Sequence, residues 1–275
     1  MYSRSRSYAN QNLRNQSFRG QALSGSDFSG ADLRGCDFSG AELIGATFER
    51  VKTGQTSRQQ LIWVGIAIAT FLLSGHAISR LVFGALGQTP GDRAWGYVLA
   101  LYGSLCVAGI SSGLRIMVPP RSTVDRAALV LSAILSAAIS GFYYAGSVMG
   151  KDPQWAIAGA GVSSLFTGLL LTRWRATIGM TAATMAGAVM GYGAAFLTGT
   201  TAIAFLSTQH SVSGILLSGL TLILLWLTLQ SLKRVCHQIR QAPGTLFRRA
   251  NLTHARFNNA PLNHTDFSNA QGWRS

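Results

Sequence analysis

The chain has 275 residues, is 48% hydrophobic and only 12% charged, and carries a formal net charge of +14. So apolar and weakly charged a composition fits a membrane protein, and the spacing of Cys36, Cys106 and Cys236 excludes a disulfide framework or a cysteine metal site. The basic excess would point to nucleic acid in a soluble domain, but here it follows the ends of apolar runs, which marks it as topological.

Residues 1–10 read as a polar, Ser/Arg-rich tail, with no apolar stretch like that of a cleavable signal between Met1 and Asn12. From residue 11 to 50 every fifth position is Leu or Phe in strict alternation: Leu13, Phe18, Leu23, Phe28, Leu33, Phe38, Leu43 and Phe48. A period of five belongs to neither helix nor strand, so each repeat turns one large apolar residue inward in a coiled repeat architecture. Small residues stand two before the centre (Ser26, Ala31, Cys36, Ala41, Ala46), except at Gln11, Gln16 and Gln21, which predict a frayed or capping first coil. Gly20, Gly25, Gly30, Gly35, Gly40 and Gly45 stand two after it, where a corner turn favours glycine. A linker is expected over 51–60.

Apolar runs of spanning length follow at 61–84, 94–117, 127–149, 154–172, 177–204 and 212–232, a six-helix transmembrane domain over 61–232. An even number of spans puts both termini on one side. Twenty Lys and Arg fall on that side and only Arg80, Arg93 and Lys151 on the other, so both termini are predicted to be cytoplasmic. Trp63, Trp95, Trp155 and Trp174 lie at span ends, as interfacial rings should. A second linker is expected over 233–244. The five-residue period then returns over 245–270, at Phe247, Leu252, Phe257, Leu262 and Phe267, with Thr245, Ala250, Ala255, Ala260 and Thr265 as the small residues.

The two tracts resemble the pentapeptide-repeat family. The resemblance covers about a quarter of the chain and implies a right-handed, four-sided β-solenoid with four repeats per coil, which the predicted topology places on the cytoplasmic side. Phe18 would then stack on Phe38, Phe28 on Phe48, Leu13 on Leu33 and Leu23 on Leu43. The five C-terminal repeats make barely more than one coil, which cannot bury its own apolar column, so they are expected to stack on the 11–50 coils.

Candidate chemistry is sparse. Gly179, Ala183, Gly187, Gly191, Ala195 and Gly199 recur every four residues in the fifth run and form a helix-packing stripe, for a neighbouring helix of this chain or for an oligomer or partner seam. Met180, Met185 and Met190 flank it as gap fillers. Asp92, Asp125 and Asp152 are placed in loops, leaving no carboxylate within a span for ion or proton transfer. His76 is expected to be hydrogen-bonded in the bundle, with Arg80 reaching the outer headgroups. His254 and His264 fall on opposite faces of a four-sided coil, and Asp27, Asp32, Asp37 and Glu42 on successive ones, so neither set makes a metal site or a carboxylate pair. No phosphate loop or nucleophile elbow is present.

The expected function is non-enzymatic: a membrane scaffold, subunit or assembly factor whose solenoid contacts a larger membrane complex. The alternative is a small transporter, channel or lipid- or glycolipid-handling protein capped by the solenoid. Membrane lipids, other membrane subunits or a second copy are the expected partners, and nucleic acid is not. No catalytic residue, metal or cofactor is expected, while a bound lipid or pigment stays open. Family proteins are abundant in cyanobacteria, some joining repeats to membrane spans, so a thylakoid or plasma membrane and a photosynthetic partner are what the resemblance implies.

Overall fold

The computed structural model of the protein describes residues 6–115, 117–119, 122–173 and 177–273. It divides into two compact units: residues up to Trp63 together with those from Ile239 onward, and Val64–Gln238.

The first unit is a stack of coils built from turns of five residues. After each central residue the chain folds back through a four-residue turn, as in Gln16 N–H donating to the Leu13 carbonyl at 3.1 Å and Ser26 to Leu23 at 3.1 Å. The third residue of each turn has positive φ, which Gly20 (φ 67°) adopts without a side-chain penalty. The second tract meets the same demand with Arg249, His254, Asn259, His264 and Asn269, at φ from 53° to 59°. Residues twenty apart pair in parallel: Asn12 with Asp32, Ser17 with Asp37 and Asp27 with Thr47. Regular strand is confined to β1 (Thr245–Leu246) and β2 (Thr265–Asp266), paired in parallel. Elsewhere each coil edge contributes one bridging residue before the next corner interrupts the ladder.

The inward column is aromatic on two sides. Tyr8, Phe28, Phe48 and Phe257 stack at centroid distances of 4.9, 5.0 and 4.8 Å. Phe18, Phe38, Phe247, Phe267 and Trp273 form the second stack, at 4.9, 4.9, 5.2 and 4.0 Å. The two stacks meet edge to face, as Phe38 does with Phe48 at 6.0 Å. Leu23, Leu33, Leu43 and Leu252 fill the other two sides and are almost wholly buried, as is Leu13. Phe257 and Phe267 pack against this core half-buried, with Trp273 stacked on Phe267, and Leu262 is half-buried outside it.

Three expected boundaries shift. The polar tail is shorter than 1–10, since Tyr8 takes a central position one repeat before Leu13 and its N–H donates to the Asp27 carbonyl at 2.7 Å. The expected linker at 51–60 is largely structured: Val51 is fully buried, Lys52 bridges to Asp32, and a helix starts at Ser57. The linker at 233–244 is mostly helix, because α6 continues to Gln241, past the apolar run, along a stretch of good helix formers.

The helices are α1 (Ser57–Ala85), α2 (Trp95–Leu114), α3 (Thr123–Val148), α4 (Pro153–Arg173), α5 (Thr177–Ser207) and α6 (Ser211–Gln241). All six are long and apolar enough to cross a membrane, as in a multi-pass membrane protein. Large apolar residues such as Leu72, Phe166, Leu169, Ile215 and Leu222 point outward, as a lipid solvent requires. Trp95 opens α2 and Trp155 lies in the first turn of α4; Trp174 lies outside the described residues.

Candidate functional site

In the repeat unit the polar residues before each centre line the outside. Asp32 accepts from two arginines, Arg14 on its neighbouring coil (2.7 Å) and Arg34 on its own (2.6 Å), and Arg248 pairs with Asp266. These half-exposed pairs contribute little to stability and fix the side chains that the faces present. His254 and His264 follow Leu252 and Leu262 by two residues each, on different sides of the coil, and no group of three metal-ligating side chains forms among the described residues.

Two carboxyls on these faces are held below the usual carboxylate range. Asp27 is lowered by hydrogen bonds from the side chain and backbone of Ser29. At Asp266 burial opposes the charge, but hydrogen bonds from Ser268 and the Arg248 guanidinium outweigh it. A depressed folded-state value stabilises fully above the unfolded value, about 3.9, and this stabilisation is lost as pH falls below it. Protease resistance of the repeat unit should therefore hold from pH 7 to about 4 and decline below. Asp266→Asn should flatten part of that decline in a limited-proteolysis titration.

Cys36 is fully buried, its thiol donating to the Leu13 carbonyl at 2.9 Å, and burial pushes it up to about 12. Iodoacetamide at pH 8.5 should leave Cys36 unmodified in the folded protein and alkylate it once denatured. Alkylation in the native state would place Cys36 outside the core.

The helix unit holds a charged cluster that the loop assignment of Asp125 missed. Asp125 lies in the first turn of α3, buried, with Ser122 as N-cap accepting from its backbone N–H at 3.0 Å. Its carboxylate accepts from Arg115 Nε at 2.9 Å, directly after α2, and from Arg234 Nη1 of α6 at 3.5 Å. Arg115 is 3% exposed and also donates to Thr184 Oγ1 of α5 at 3.0 Å, so one charge cluster ties four helices. The signal was local: Ser122 and Asp125 stand three apart before an apolar run, the spacing of a capping box.

The small-residue stripe faces the interior of this chain. A Cβ at Gly187 would approach Ser132 Oγ and Ser112 Oγ to 2.5 and 2.9 Å, and one at Gly191 would meet Thr228 Oγ1 at 2.8 Å. Ala183 and Ala195 are buried, whereas Gly179 and Gly199 are half-buried beside Leu171 and Thr221. The stripe thus packs against α2, α3 and α6, which leaves its middle unavailable as an oligomer seam. Ser112 and Ser231 hydroxyls pair across α2 and α6 at 3.0 Å, and Thr221 donates to Thr198 across α6 and α5 at 3.0 Å. Met190 is buried, Met185 half-buried and Met180 exposed. Gly187→Leu should drive α2 and α3 off α5 and lower the unfolding temperature in detergent by several degrees; unchanged melting would show that the site tolerates bulk.

Toward the other end of the helices, His76 Nε2 lies 3.2 Å from Tyr143 Oη, and Tyr144 Oη donates to the Leu73 carbonyl at 2.9 Å. His76 and Arg80 are exposed on α1. Two mainly apolar grooves of about 260 and 360 Å³ lie beside Tyr102 and Thr201 and beside Tyr192 and Ile203; neither gathers charged groups.

No curated protein and no solved structure matched the chain. The family model for pentapeptide repeats matches residues 12–51 and 242–270, in eight copies. The two tracts whose central rings stack into one column are therefore pentapeptide repeats, and through them the chain carries that family's hallmark at both ends.

Proposed function

We propose that this is a non-enzymatic membrane scaffold, subunit or assembly factor. The repeats form a right-handed, four-sided β-solenoid on the cytoplasmic side, and its outer faces bind a protein of a larger membrane complex, with a photosynthetic assembly in a cyanobacterial thylakoid as the specific candidate. The observation that carries this reading is the division of labour within the repeats. The large central side chains, Leu262 apart, are spent on the internal column, and the outward positions are regularly spaced and mostly polar. Such a surface suits protein contact, and pentapeptide-repeat proteins are generally structural or interaction proteins. Both termini on the cytoplasmic side follow from the even number of spans and the positive-inside bias.

Purification from native membranes in mild detergent tests this. Stoichiometric co-migration with another membrane complex, lost when Asp37 and Asp266 on one outer face are both replaced by Arg, is the expected outcome. Migration as a lone species would overturn it.

The Arg115–Asp125–Arg234 cluster favours a second reading, a small transporter or lipid-handling protein, because buried charge within spanning helices commonly accompanies such roles. Solute flux or lipid transfer in liposomes holding the purified chain alone would select it.

A further inference from the structure

The second tract first completes a coil that the first tract begins and only then starts a fourth. Phe48 and Thr53 supply two corners of the third coil, and Phe247 and Leu252 supply the other two. Phe38 N–H donates to the Leu246 carbonyl at 2.7 Å, Leu43 to Asn251 at 2.9 Å, and Phe48 to Arg256 at 2.7 Å. Joining Gln55 directly to Thr245 would leave Thr53 and Phe247 five residues apart, with Phe and Leu-type positions still alternating through Phe48, Thr53, Phe247 and Leu252. Residues 56–244 thus interrupt a single run of repeats at one corner without disturbing its register.

That corner is built as a fastening between the start of α1 and the end of α6. Thr56 and Gln59 form a reciprocal capping box at the start of α1, with Thr56 N–H donating to Gln59 Oε1 at 3.1 Å and Gln59 N–H to Thr56 Oγ1 at 3.3 Å. The amide of the same Gln59 reaches across to the Gly244 carbonyl at 3.2 Å. Gln55 Nε2 donates to the carbonyls of Ile239, at 2.9 Å, and Ala242, which caps the C-terminus of α6. Gly54 N–H donates to Thr245 Oγ1 at 3.0 Å, and a Cβ at Gly244 would overlap the Gly54 carbonyl. The end of α6 is therefore capped by Gln55 from the other segment, and the capping box of α1 is tied to that segment through Gln59 and the Gly244 carbonyl.

We propose that this corner is an assembly clasp. The third and fourth coils, and every outer face they share, form only when the end of α6 has returned to the start of α1, so the repeat module registers completion of the six-helix segment. The Phe38 and Leu43 sides of the second coil lack the lower neighbour that repeat stacking needs until the clasp closes. If the faces bind the partner proposed above, that binding is confined to fully assembled chains; the clasp itself can be tested without any partner.

In the full-length protein in detergent, Glu49→Cys with Asn258→Cys places thiols where Asn258 Nδ2 now donates to Glu49 Oε1 at 3.3 Å. A short bismaleimide should couple them readily, read by intact mass. Adding Gln55→Ala and Gln59→Ala should lower the coupling about tenfold and open trypsin cleavage in both tracts, since the cap that Gln55 places on α6 and the Gln59–Gly244 link are both lost. A control at Leu216, exposed on α6, should change neither. Undiminished coupling in the glutamine variant overturns the clasp. So does a variant in which the second tract is digested while the first keeps its full resistance, because the two would then be independent. Gly244→Val is the stronger perturbation and should abolish coupling; the milder glutamine pair keeps the test decisive if that variant does not accumulate.

Discussion

A Phe38→Asp variant should lose the protease resistance of the whole repeat unit, in both tracts, while the six helices remain in the membrane. Phe38 is fully buried and touches four rings: Phe18 and Phe247 face to face, at 4.9 Å each, and Phe28 and Phe48 edge to face, at 5.5 and 6.0 Å. Removing such a ring costs about 3–5 kcal/mol by itself. Placing a carboxylate in the column without a partner adds several more. That total rivals the roughly 5–15 kcal/mol by which domains are stable. Limited proteolysis of membrane vesicles, with carbonate extraction as the check on insertion, decides the matter. Retained resistance would mean that the central positions do not form one shared column.

Asp125→Ala should destabilise the helix unit by about 3–5 kcal/mol, the range for removing one partner of a buried ion pair. The loss comes mostly from what remains: Arg115, 3% exposed, retains only Thr184 of the two partners described above. The mechanism makes a second, sharper prediction. Arg115→Met combined with Asp125→Ala should be less destabilised than Asp125→Ala alone, since no buried charge is then stranded. Thermal unfolding in detergent of the two single variants and the double one checks this. Additive losses would show that the pair is uncoupled and that Arg115 finds water.

Some of this architecture is written locally. The five-residue period needs only the turn after each central residue and an apolar side chain to point inward, and both are visible in the order of residues from Leu13 to Phe48. The six apolar runs are equally legible, because length and hydropathy are properties of a segment by itself. The ends of the elements were less so. Tyr8 and Val51 break the Leu/Phe and small-residue pattern yet occupy its positions, because packing tests shape and polarity and not residue type. α6 continues past its apolar run to Gln241, where the Gln55 amide caps it from a distant part of the chain.

The residues of the amino-acid sequence alone determined the period of the repeats, the number of spanning helices and the small face of α5. The tertiary structure alone decided that Phe247 follows Thr53 around one coil, that Gly244 must lie against Gly54, and that Asp125 is drawn between Arg115 and Arg234. The physical reason is the range of the interactions. Turn geometry and hydropathy act over a few residues, whereas ring stacking, close backbone approach and buried charge pairing join residues up to about two hundred positions apart, which a one-dimensional pattern does not encode.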